Sequence, residues 1–500
     1  MRKSKLSKVL KAARALVLAS FFGFALLALF VQYRIRVAND WQRYAKMPKA
    51  PIPSKNDSVV VFAPHSDDET LGCGGMLALA KINGARIRVV LVTNGDGYRI
   101  GAAREYGTIR VTPEICIRYG YRRQKETLKA LDKLGICSSE VTFLGYPDRG
   151  ISALWNEYWG SENLYFSKAT KTNHSPYINS FTRNAPYCGE SVMRDIEQIL
   201  RVEKPTLVYV PHPFDDHPDH YATYCFVAAA ITQLRAERAD FASRIRVLAY
   251  LVHRGDWPVP RGDHTNESLA PPYALSHGET KWFSLPLSPR IVRAKRDAIR
   301  CYKSQTAIEK AFLMSFARQN EIFGELKTRS VPILHSSGII VDGQTADWKG
   351  IRPALIDPTG DHLLRELNKG GDVRAVYVCL DGKSIYIRVD CARPLSKRIT
   401  YVINLRMLPR NTRVAGGCTR RHYGNAVADE GELRYSVTIK PPVLCEPSTT
   451  QWQFHNNVLE LRIPRRIFNP SGTLFLQVRT RLSKLTIDKT GWVELGIPNE

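Results

Sequence analysis

From Ser58 onward, short apolar runs alternate with helical patterns, and this alternation is the feature that most limits the possible folds. The runs S-V-V-V-F-A (58–63) and R-I-R-V-V-L-V-T (86–93) are typical of buried strands, with a helix predicted between them over Gly75–Asn83. Strands that alternate with helices form a mostly parallel sheet with flanking helices, so the sequence predicts a Rossmann-like α/β domain over residues 58–334. The further predicted elements are a helix near 118–135, a strand at 141–144, a helix at 190–203, a strand at 206–210, a helix from Tyr221 and a strand at 245–252.

The pattern changes after residue 334, where helical periodicity ends and short alternating strands follow. A chain of 500 residues is also too long for one hydrophobic core, so two globular domains are expected. Turn residues separate the strand-like runs, which is typical of a β-sandwich, and the sequence predicts such a domain over 335–500. The runs are V-R-A-V-Y-V-C, S-I-Y-I-R-V-D, R-I-T-Y-V-I-N-L, L-R-Y-S-V-T-I, V-L-E-L-R-I-P and T-L-F-L-Q-V.

The N-terminal residues predict a membrane anchor. Residues 15–31 are uncharged and mostly apolar, near the lower length limit for a spanning helix, and basic residues from Arg2 to Arg14 precede them. By the positive-inside rule, we expect residues 1–37 to form a cytoplasmic tail and a single transmembrane helix, with the later domains on the extracytoplasmic side. Residues 38–57 carry three prolines and are predicted to be a linker. A cleaved signal peptide is the alternative interpretation.

The net charge of +25 would favour anionic partners, although we prefer the simpler interpretation of a solvated basic surface. No nucleic-acid-binding motif accompanies the charge, so nucleic acid is not an expected partner. Gly72, Gly74 and Gly75 do not match the dinucleotide-binding pattern. The ten cysteines include no C-x-x-C pair, so a zinc–thiolate site is not predicted either.

Two polar clusters each follow a predicted strand. The first is A-P-H-S-D-D-E-T-L-G-C-G-G (63–75), and the second is P-H-P-F-D-D-H-P-D-H (211–220). The carboxyl ends of parallel strands form the ligand crevice of such a sheet, so the two loops are expected to meet there. A His and a carboxylate three residues apart, joined by a His from another loop, provide three ligands for a catalytic zinc and leave one position for water. The clusters therefore predict a metal site.

These two segments resemble the signature motifs of the PIG-L family, which includes N-acetylglucosaminyl-phosphatidylinositol de-N-acetylases and bacterial thiol-sugar deacetylases. The resemblance extends over about 58–323, and its supporting pieces are T-N-G-D-G (93–97), Arg123 with Glu126, F-L-G-Y-P-D (143–148) and K-S-Q (303–305). One departure is Ser66, where the family usually has proline. The resemblance implies a Zn²⁺ cofactor and a glycan or glycolipid substrate.

The resemblance also implies a role for each matching residue. The zinc ligands fall on His65, Asp68 and His220, and the general base falls on Asp67. Substrate contacts are expected from the supporting pieces at Asn94, Arg123 and Asp148. His217 matches the histidine that stabilises the oxyanion, and Asp219 is expected to orient it. The sequence does not place a catalytic tyrosine, for which Tyr98, Tyr146 and Tyr209 are all candidates.

The implied activity is zinc-dependent hydrolysis of the N-acetyl group of an amino sugar in a glycan, glycolipid or polysaccharide, which releases acetate and a free amine. A zinc amidase acting on a non-sugar amide and a non-catalytic glycan-binding scaffold are the alternatives.

The C-terminal region resembles family 9 carbohydrate-binding modules through D-G-x-x-x-D-W (342–348), the hairpin D-G-K-S-I-Y-I-R-V-D and L-E-L-R-I-P (459–464). Trp348, Trp452 and Trp492 are expected either to stack on sugar rings or to lie in the core of the domain. The region has no paired histidines and carboxylates like those of the first domain, so it is not expected to supply catalytic groups.

Overall fold

By its internal packing, the chain divides into two compact units, Met1–Pro48 and Lys49–Glu500. In the first unit, Ser20, Gly23 and Leu26 are helical, and the rest of the predicted anchor (1–37) lies outside the described residues, as does 38–46 of the predicted linker. No helix in the described ranges is both long and apolar enough to cross a membrane. Apart from those three residues, the computed structural model describes 47–255, 257–276, 280–335, 338–359, 369–407, 420–423, 426–429, 434–440, 450–466 and 472–498.

A mixed sheet with flanking helices forms the first part of the second unit. Its strands are β1 (Ser58–Ala63), β2 (Arg86–Thr93), β3 (Val141–Tyr146), β4 (Leu207–Pro211), β5 (Arg246–Tyr250), β6 (Lys281–Pro286) and β7 (Asn320–Glu325). Among the described residues the strand order is β3-β2-β1-β4-β5-β7-β6, and the first five strands are parallel. The antiparallel pair β6 and β7 completes the edge, and the sequence did not predict it. β2 and β3 lie on one side of β1, whereas β4 and β5 lie on its other side, so the strand order reverses between β1 and β4.

The helices of this part are α1 (Asp68–Ile82), α2 (Arg99–Glu105), α3 (Pro113–Lys133), α4 (Ile151–Asn156), α5 (Gly189–Glu203), α6 (Pro218–Ala236), α7 (Tyr273–Ser276), α8 (Pro289–Ile299) and α9 (Lys303–Met314). Helices α4, α5 and α6 bury their apolar faces in one cluster with alternate residues of β1 and β4. Helix α1 packs on the other side together with α8.

Helix α1 begins earlier than the sequence predicted. The prediction placed its start at Gly75, but the helix begins at Asp68 and contains Gly72 and Gly74, although glycine disfavours helices. The glycines are needed for close packing, since a Cβ on Gly72 would lie 2.7 Å from the ring carbon Cγ of Tyr250. The acidic residues before the glycines therefore occupy the first turn of the helix.

Helix α6 also begins earlier than predicted, at Pro218 instead of Tyr221. Proline suits the first position of a helix, where its missing N–H would have had no partner. His217 is the N-cap residue, and His220 lies in the first turn. Both polar clusters therefore stand at the start of a helix.

The C-terminal region is rich in antiparallel strands, and each of the six predicted runs lies on one of them. The strands are β8 (Arg329–Ser330), β9 (Leu355–Ile356), β10 (Val373–Leu380), β11 (Ser384–Cys391), β12 (Ile399–Met407), β13 (Arg420–Tyr423), β14 (Ala426–Asp429), β15 (Arg434–Ile439), β16 (Gln451–His455), β17 (Val458–Pro464), β18 (Gly472–Leu482), β19 (Leu485–Lys489) and β20 (Val493–Ile497). In the described ranges, one sheet has the order β16-β17-β11-β10-β9 and the other has β13-β14-β15-β12-β18-β20-β8, with β19 paired to β18. Both sheets contribute to a shared hydrophobic cluster.

The three tryptophans considered for sugar stacking are all buried. Trp348 is 2% exposed, and its indole N–H donates to Glu460 Oε1 at 2.6 Å. Trp452 belongs to the cluster shared by the two C-terminal sheets. Trp492 packs in the core of the first domain, beside Trp155. These side chains serve packing in the structure.

Candidate active site

The two polar clusters meet where the sheet topology brings β1 and β4 side by side. β1 and β4 are parallel neighbours, so the loops that leave their carboxyl ends lie together. His65 follows β1, and the segment from Asp215 to His220 follows β4. A polar centre forms between the N-termini of α1 and α6.

Three atoms of this centre form a small triangle. Asp68 Oδ2 lies 3.1 Å from His65 Nδ1 and 3.1 Å from His220 Nε2. The two ring nitrogens are 3.3 Å apart. All three side chains are buried, with His65 the most exposed at 8%. These residues are the three zinc ligands predicted from the sequence, and the structure brings their ligand atoms together.

The spacing of the triangle fits a metal ion. A tetrahedral zinc with bonds of about 2.0–2.1 Å places its ligand atoms about 3.3–3.4 Å apart. The observed separations of 3.1–3.3 Å are close to that value. Imidazole and carboxylate are also the usual ligands of catalytic zinc. The residues present therefore fit zinc.

Each of the two histidines has a carboxylate on its other ring nitrogen. His65 Nε2 lies 3.3 Å from Asp148 Oδ1 and 3.3 Å from Asp219 Oδ2. His220 Nδ1 lies 3.1 Å from Asp215 Oδ2. Carboxylates in this position fix the tautomer and orientation of a metal-binding histidine. They also surround the site with negative charge, which favours a bound cation.

The same carboxylates control protonation of the rings. Burial opposes a charge on His220, but Asp215 and Asp68 raise its pKa to about 9. Burial likewise opposes a charge on His65, yet the carboxylates of Asp148, Asp219 and Asp68, which accept hydrogen bonds from the ring, hold its pKa well above its ordinary value. A cation at the triangle would replace the protons that these carboxylates otherwise favour.

Asp67 stands beside the triangle in a strained conformation. Its φ of 113° is rare for a residue other than glycine, and such strain is concentrated at functional sites. Arg123 Nη2 lies 3.3 Å from Asp67 Oδ2 and donates to the carbonyl of Ser66. Burial raises the pKa of Asp67 well above its ordinary value, although the charge of Arg123 opposes the increase. The structure therefore positions a buried carboxyl group next to the triangle of predicted metal ligands.

His217 is partly exposed, and its ring lies 4.6 Å from that of His65, centroid to centroid. Its Nδ1 accepts the backbone N–H of Asp219 at 3.3 Å, which leaves the proton of a neutral ring on Nε2. Burial and the neighbouring rings of His65, His220 and His253 lower the pKa of His217 to about 2. The ring is therefore neutral and can donate from Nε2.

The carboxylate of Asp219 holds the start of α4. It accepts the backbone N–H of Arg149 at 2.6 Å and that of Ile151 at 3.1 Å. Asp219 was predicted to orient His217, and the contact between these two residues runs through the backbone N–H of Asp219. The orienting role stays a prediction.

Two of the three predicted substrate-binding residues reach the centre. Arg123 contacts Asp67, and Asp148 accepts the backbone N–H of Gly97 at 2.8 Å while it lies beside His65. Asn94 is fully buried just after β2, and none of the contacts between described residues joins it to the triangle. Substrate contact by all three stays a prediction.

The three candidate tyrosines differ in their surroundings. Tyr146 donates to Asp195 Oδ2 at 2.8 Å, and Tyr209 is fully buried against Phe323. Tyr98 is partly exposed, and its hydroxyl donates to Glu309 at 3.2 Å. Tyr98 is the only one of these three candidates that is not buried.

Sequence reasoning missed two residues of the site. Asp215 supports His220, as described above, and its other oxygen accepts the backbone N–H of His217 at 2.9 Å. His253 follows β5 and could share a metal ion with Asp68 and His220, since their ligand atoms lie within 4.8 Å of one another. Asp215 lies inside the second motif, and His253 follows a predicted strand, so position after a strand was the available signal.

A family comparison covers the segment of the chain that carries this site. The family model for GlcNAc-PI de-N-acetylase, PIG-L, matches residues 60–231. Residues 60–231 form a PIG-L domain. All six predicted metal-ligand and catalytic residues lie inside this PIG-L domain.

Several solved structures are similar to the chain. One is a conserved protein, TT1542, from Thermus thermophilus, with 23% identity, 54% of this chain and 94% of that chain covered, and a TM-score of 0.33. Another is N,N'-diacetylchitobiose deacetylase from Pyrococcus horikoshii, with 18% identity, 54% of this chain and 84% of that chain covered, and a TM-score of 0.34. A third is a deacetylase in the teicoplanin biosynthesis pathway, with 18% identity, 53% of this chain and 96% of that chain covered, and a TM-score of 0.34. No curated protein sequence matches the chain.

Proposed function

We propose that the chain is a zinc-dependent de-N-acetylase that hydrolyses the acetamido group of an N-acetylated amino sugar in a glycan, glycolipid or polysaccharide. The observation that carries the proposal is the triangle of His65, Asp68 and His220, with Asp67 beside it, inside a PIG-L domain. The products are acetate and a free amine.

The three residues of the triangle would hold the zinc ion. Bound there, zinc would supply a positive charge and lower the pKa of a coordinated water from 15.7 toward about 7. Asp148, Asp219 and Asp215 would keep the two imidazole rings oriented from their far sides.

Asp67 is the general base in this proposal. Its carboxylate lies at the edge of the triangle, where it can accept a proton from the attacking water and later pass it to the leaving amine. The guanidinium of Arg123, 3.3 Å away, holds the carboxylate in place. Transfer of that one proton converts the amide and the water into acetic acid and an amine, and the acetic acid then loses its own proton to the amine or to solvent, which gives acetate.

His217 stabilises the negative charge that develops on the acetyl oxygen. A neutral ring with its proton on Nε2 can donate one hydrogen bond to this oxygen. Loss of one such donor typically costs about 10²–10³ in turnover. The partly exposed position of His217 is consistent with contact to a bound substrate.

Measurement of acetate release tests the proposal. Purified protein loaded with zinc is incubated with N-acetylated oligosaccharides and, in parallel, with N-acetylated amines that contain no sugar. We expect acetate from the sugars, and none after the metal is removed with a chelator. Release from the non-sugar amides alone would indicate an amidase of another class, and no release from any substrate would reject the enzymatic proposal.

We also propose that residues 1–37 anchor the protein and that the PIG-L domain lies on the extracytoplasmic side. The basic residues before the apolar run 15–31 support this orientation. A reporter fused after Glu500 should be active only in an extracytoplasmic compartment. Activity in the cytoplasm would reverse the orientation.

A further inference from the structure

The C-terminal sheets contact the same loop that carries the second polar cluster. We infer that the C-terminal region, chiefly through Lys489, positions the loop from Phe214 to His217 and is thereby part of the scaffold of the active site. The inference rests on the proposed function for its catalytic consequence. It assigns this region a role other than independent sugar binding.

Lys489 at the end of β19 contacts both sides of the second motif. Its ammonium group donates to the backbone carbonyl of Asp216 at 2.9 Å. The same group lies 4.7 Å from the ring centroid of Tyr221, in the geometry of a cation–π contact. Asp216 directly precedes His217, and Tyr221 directly follows His220. One side chain of the C-terminal region therefore contacts both ends of the segment that carries two site histidines.

The opposite side of Asp216 is held by the chain after β5. Its carboxylate lies 2.9 Å from Arg254 Nη1 and accepts the backbone N–H of Gly255 at 2.7 Å. Its own N–H donates to the carbonyl of His253 at 2.7 Å. The carbonyl that points to Lys489 is thus the remaining polar group of Asp216. Lys489 completes the fixation of the loop.

Phe214 anchors the loop by an apolar contact. Its ring packs against the hydrophobic cluster shared by the two C-terminal sheets. A Cβ on Gly491 would lie 2.9–3.1 Å from three carbons of this ring, so the ring rests directly on the backbone of Gly491. Phe214 belongs to the second motif, and Gly491 lies two residues after Lys489. Two independent contacts therefore join the same loop to the same turn.

A further contact fixes the other side of the site. The guanidinium of Arg406 lies 4.3 Å from the Trp155 ring centroid and 3.8 Å from that of Trp159, and it donates to the Trp155 carbonyl. Trp155 belongs to α4, whose N-terminus is held by Asp219. The C-terminal region thereby also supports α4, the helix whose N-terminal backbone N–H groups donate to Asp219.

These contacts connect the C-terminal region to the proposed chemistry. Asp215, next to Asp216, orients the metal ligand His220 through its carboxylate. His217, on the other side, carries the proposed oxyanion donor. Movement of the Asp216 backbone would change both positions. Lys489 is therefore a positioning residue, since it reaches the metal and the substrate only through this loop.

The full chain with single substitutions tests the inference. Lys489→Met keeps the length of the side chain and removes the donor to Asp216, whereas Lys489→Arg keeps a cationic donor. Lys484→Met is the matched control, because Lys484 is exposed at the turn before β19. Phe214→Leu tests the apolar contact separately. Zinc affinity is measured by competition with a chelator, kcat and KM are measured on an N-acetylated oligosaccharide, and folding is checked by thermal unfolding.

We expect Lys489→Met to weaken zinc binding and lower kcat by roughly tenfold each, at nearly unchanged KM, because the loop holds a ligand and its supporting carboxylate. Lys489→Arg should restore most of the loss, and Lys484→Met should match the wild type. Phe214→Leu should also weaken zinc binding. Wild-type zinc affinity in both Lys489→Met and Phe214→Leu would overturn the inference. If the wild type releases no acetate, the proposed function fails, and the zinc measurements still decide the inference.

Discussion

The two ring nitrogens of His65 face different groups, and this division explains how the residue can serve a metal ion. Nδ1 is directed to Asp68 and His220, whereas Nε2 is directed to Asp148 and Asp219. His220 shows the same division, with Asp215 on its far nitrogen. A ring with a carboxylate on one nitrogen presents the lone pair of the other nitrogen to the metal. Both rings are therefore oriented before a metal binds.

Removal of either histidine should remove the metal. We expect His65→Ala or His220→Ala to lose bound zinc, and Asp215→Asn to bind zinc about 10–100-fold more weakly because the three ligands stay in place. Metal analysis after dialysis measures both effects. His264→Ala is the control, since His264 lies outside the triangle, where its Nε2 donates to the Arg261 carbonyl at 3.1 Å. One zinc per chain in the double variant His65→Ala/His220→Ala would contradict the ligand assignment.

Asp67 should be required for turnover and dispensable for the metal. Asparagine keeps the shape of the side chain and tolerates positive φ better than most residues, but it cannot accept the proton of the attacking water. We expect Asp67→Asn to retain zinc and to lose about 10²–10⁴ in kcat. Acetate release and metal content are measured on the same preparation. Asp263→Asn, on the surface beside Arg296, is the control. Wild-type turnover in Asp67→Asn would remove the proposed role.

The sequence predicted that the two polar clusters would meet because both follow strands of a parallel sheet, and its resemblance to the PIG-L family assigned the three ligands within them. It could not predict which carboxylate would support which ring, since that depends on the relative placement of loops after β1, β3 and β4. Asp215 and His253 were missed for this reason. Asp215 is next to Asp216 in the chain, yet only Asp215 is directed toward His220. Tertiary packing determines which of these two neighbouring carboxylates faces His220.

At the scale of elements, strands were easier to predict than helix starts. β1 and β2 have the predicted bounds, because buried parallel strands are continuous apolar runs. The start of α1 was wrong because glycine counts against a helix in isolation, whereas here the contact with Tyr250 requires its small size. The short strands β16, β19 and β20 lack a long alternating run. β16 and β19 each form a hairpin with a neighbouring strand, β17 and β18 respectively, whereas β20 pairs with β18 and with the distant β8, and this pairing stabilises all three.

Gly72 should be needed for the position of α1. A Cβ at this residue would contact the Tyr250 ring, and overpacking of this kind costs about 1–3 kcal/mol. We expect Gly72→Ala to lower the free energy of unfolding by that amount and to reduce zinc affinity, because Asp68 lies one helical turn away. Denaturant unfolding and chelator competition measure the two effects. Gly382→Ala is the control, since a Cβ there would meet no atom within 4 Å. Equal stability of the two variants would contradict the packing argument.

At the scale of the molecule, the PIG-L domain and the C-terminal sheets share one core. Phe475 of β18 and Trp492, directly before β20, lie in the same hydrophobic cluster as Trp155 and Phe226. The carboxyl of Glu494 also accepts the hydroxyl of Thr232, on α6, at 2.8 Å. The sequence predicted two separate domains because the helix and strand patterns change near residue 334. The pattern records the secondary structure, but it does not show that the aromatic residues of the two regions pack together.

This shared core predicts that the PIG-L domain depends on the C-terminal region for its stability. Removal of the chain after Ser330 would expose Trp155, Phe226 and Tyr224 to water. Each such side chain contributes about 1.5–3 kcal/mol when buried, against a total stability of about 5–15 kcal/mol for an ordinary domain.

We therefore expect the fragment 49–330 to unfold at a much lower temperature than 49–500 and to aggregate, and to lose zinc and activity on short as well as long glycans. Thermal unfolding, light scattering and metal analysis of the two fragments measure the difference. Addition of purified 331–500 should restore part of the stability if the interface can form between separate chains. The opposite outcome is a fragment 49–330 that unfolds cooperatively near the unfolding temperature of 49–500 and binds zinc with equal affinity. It would show that the interface contributes little to the stability of the PIG-L domain and that the C-terminal region is an independent domain.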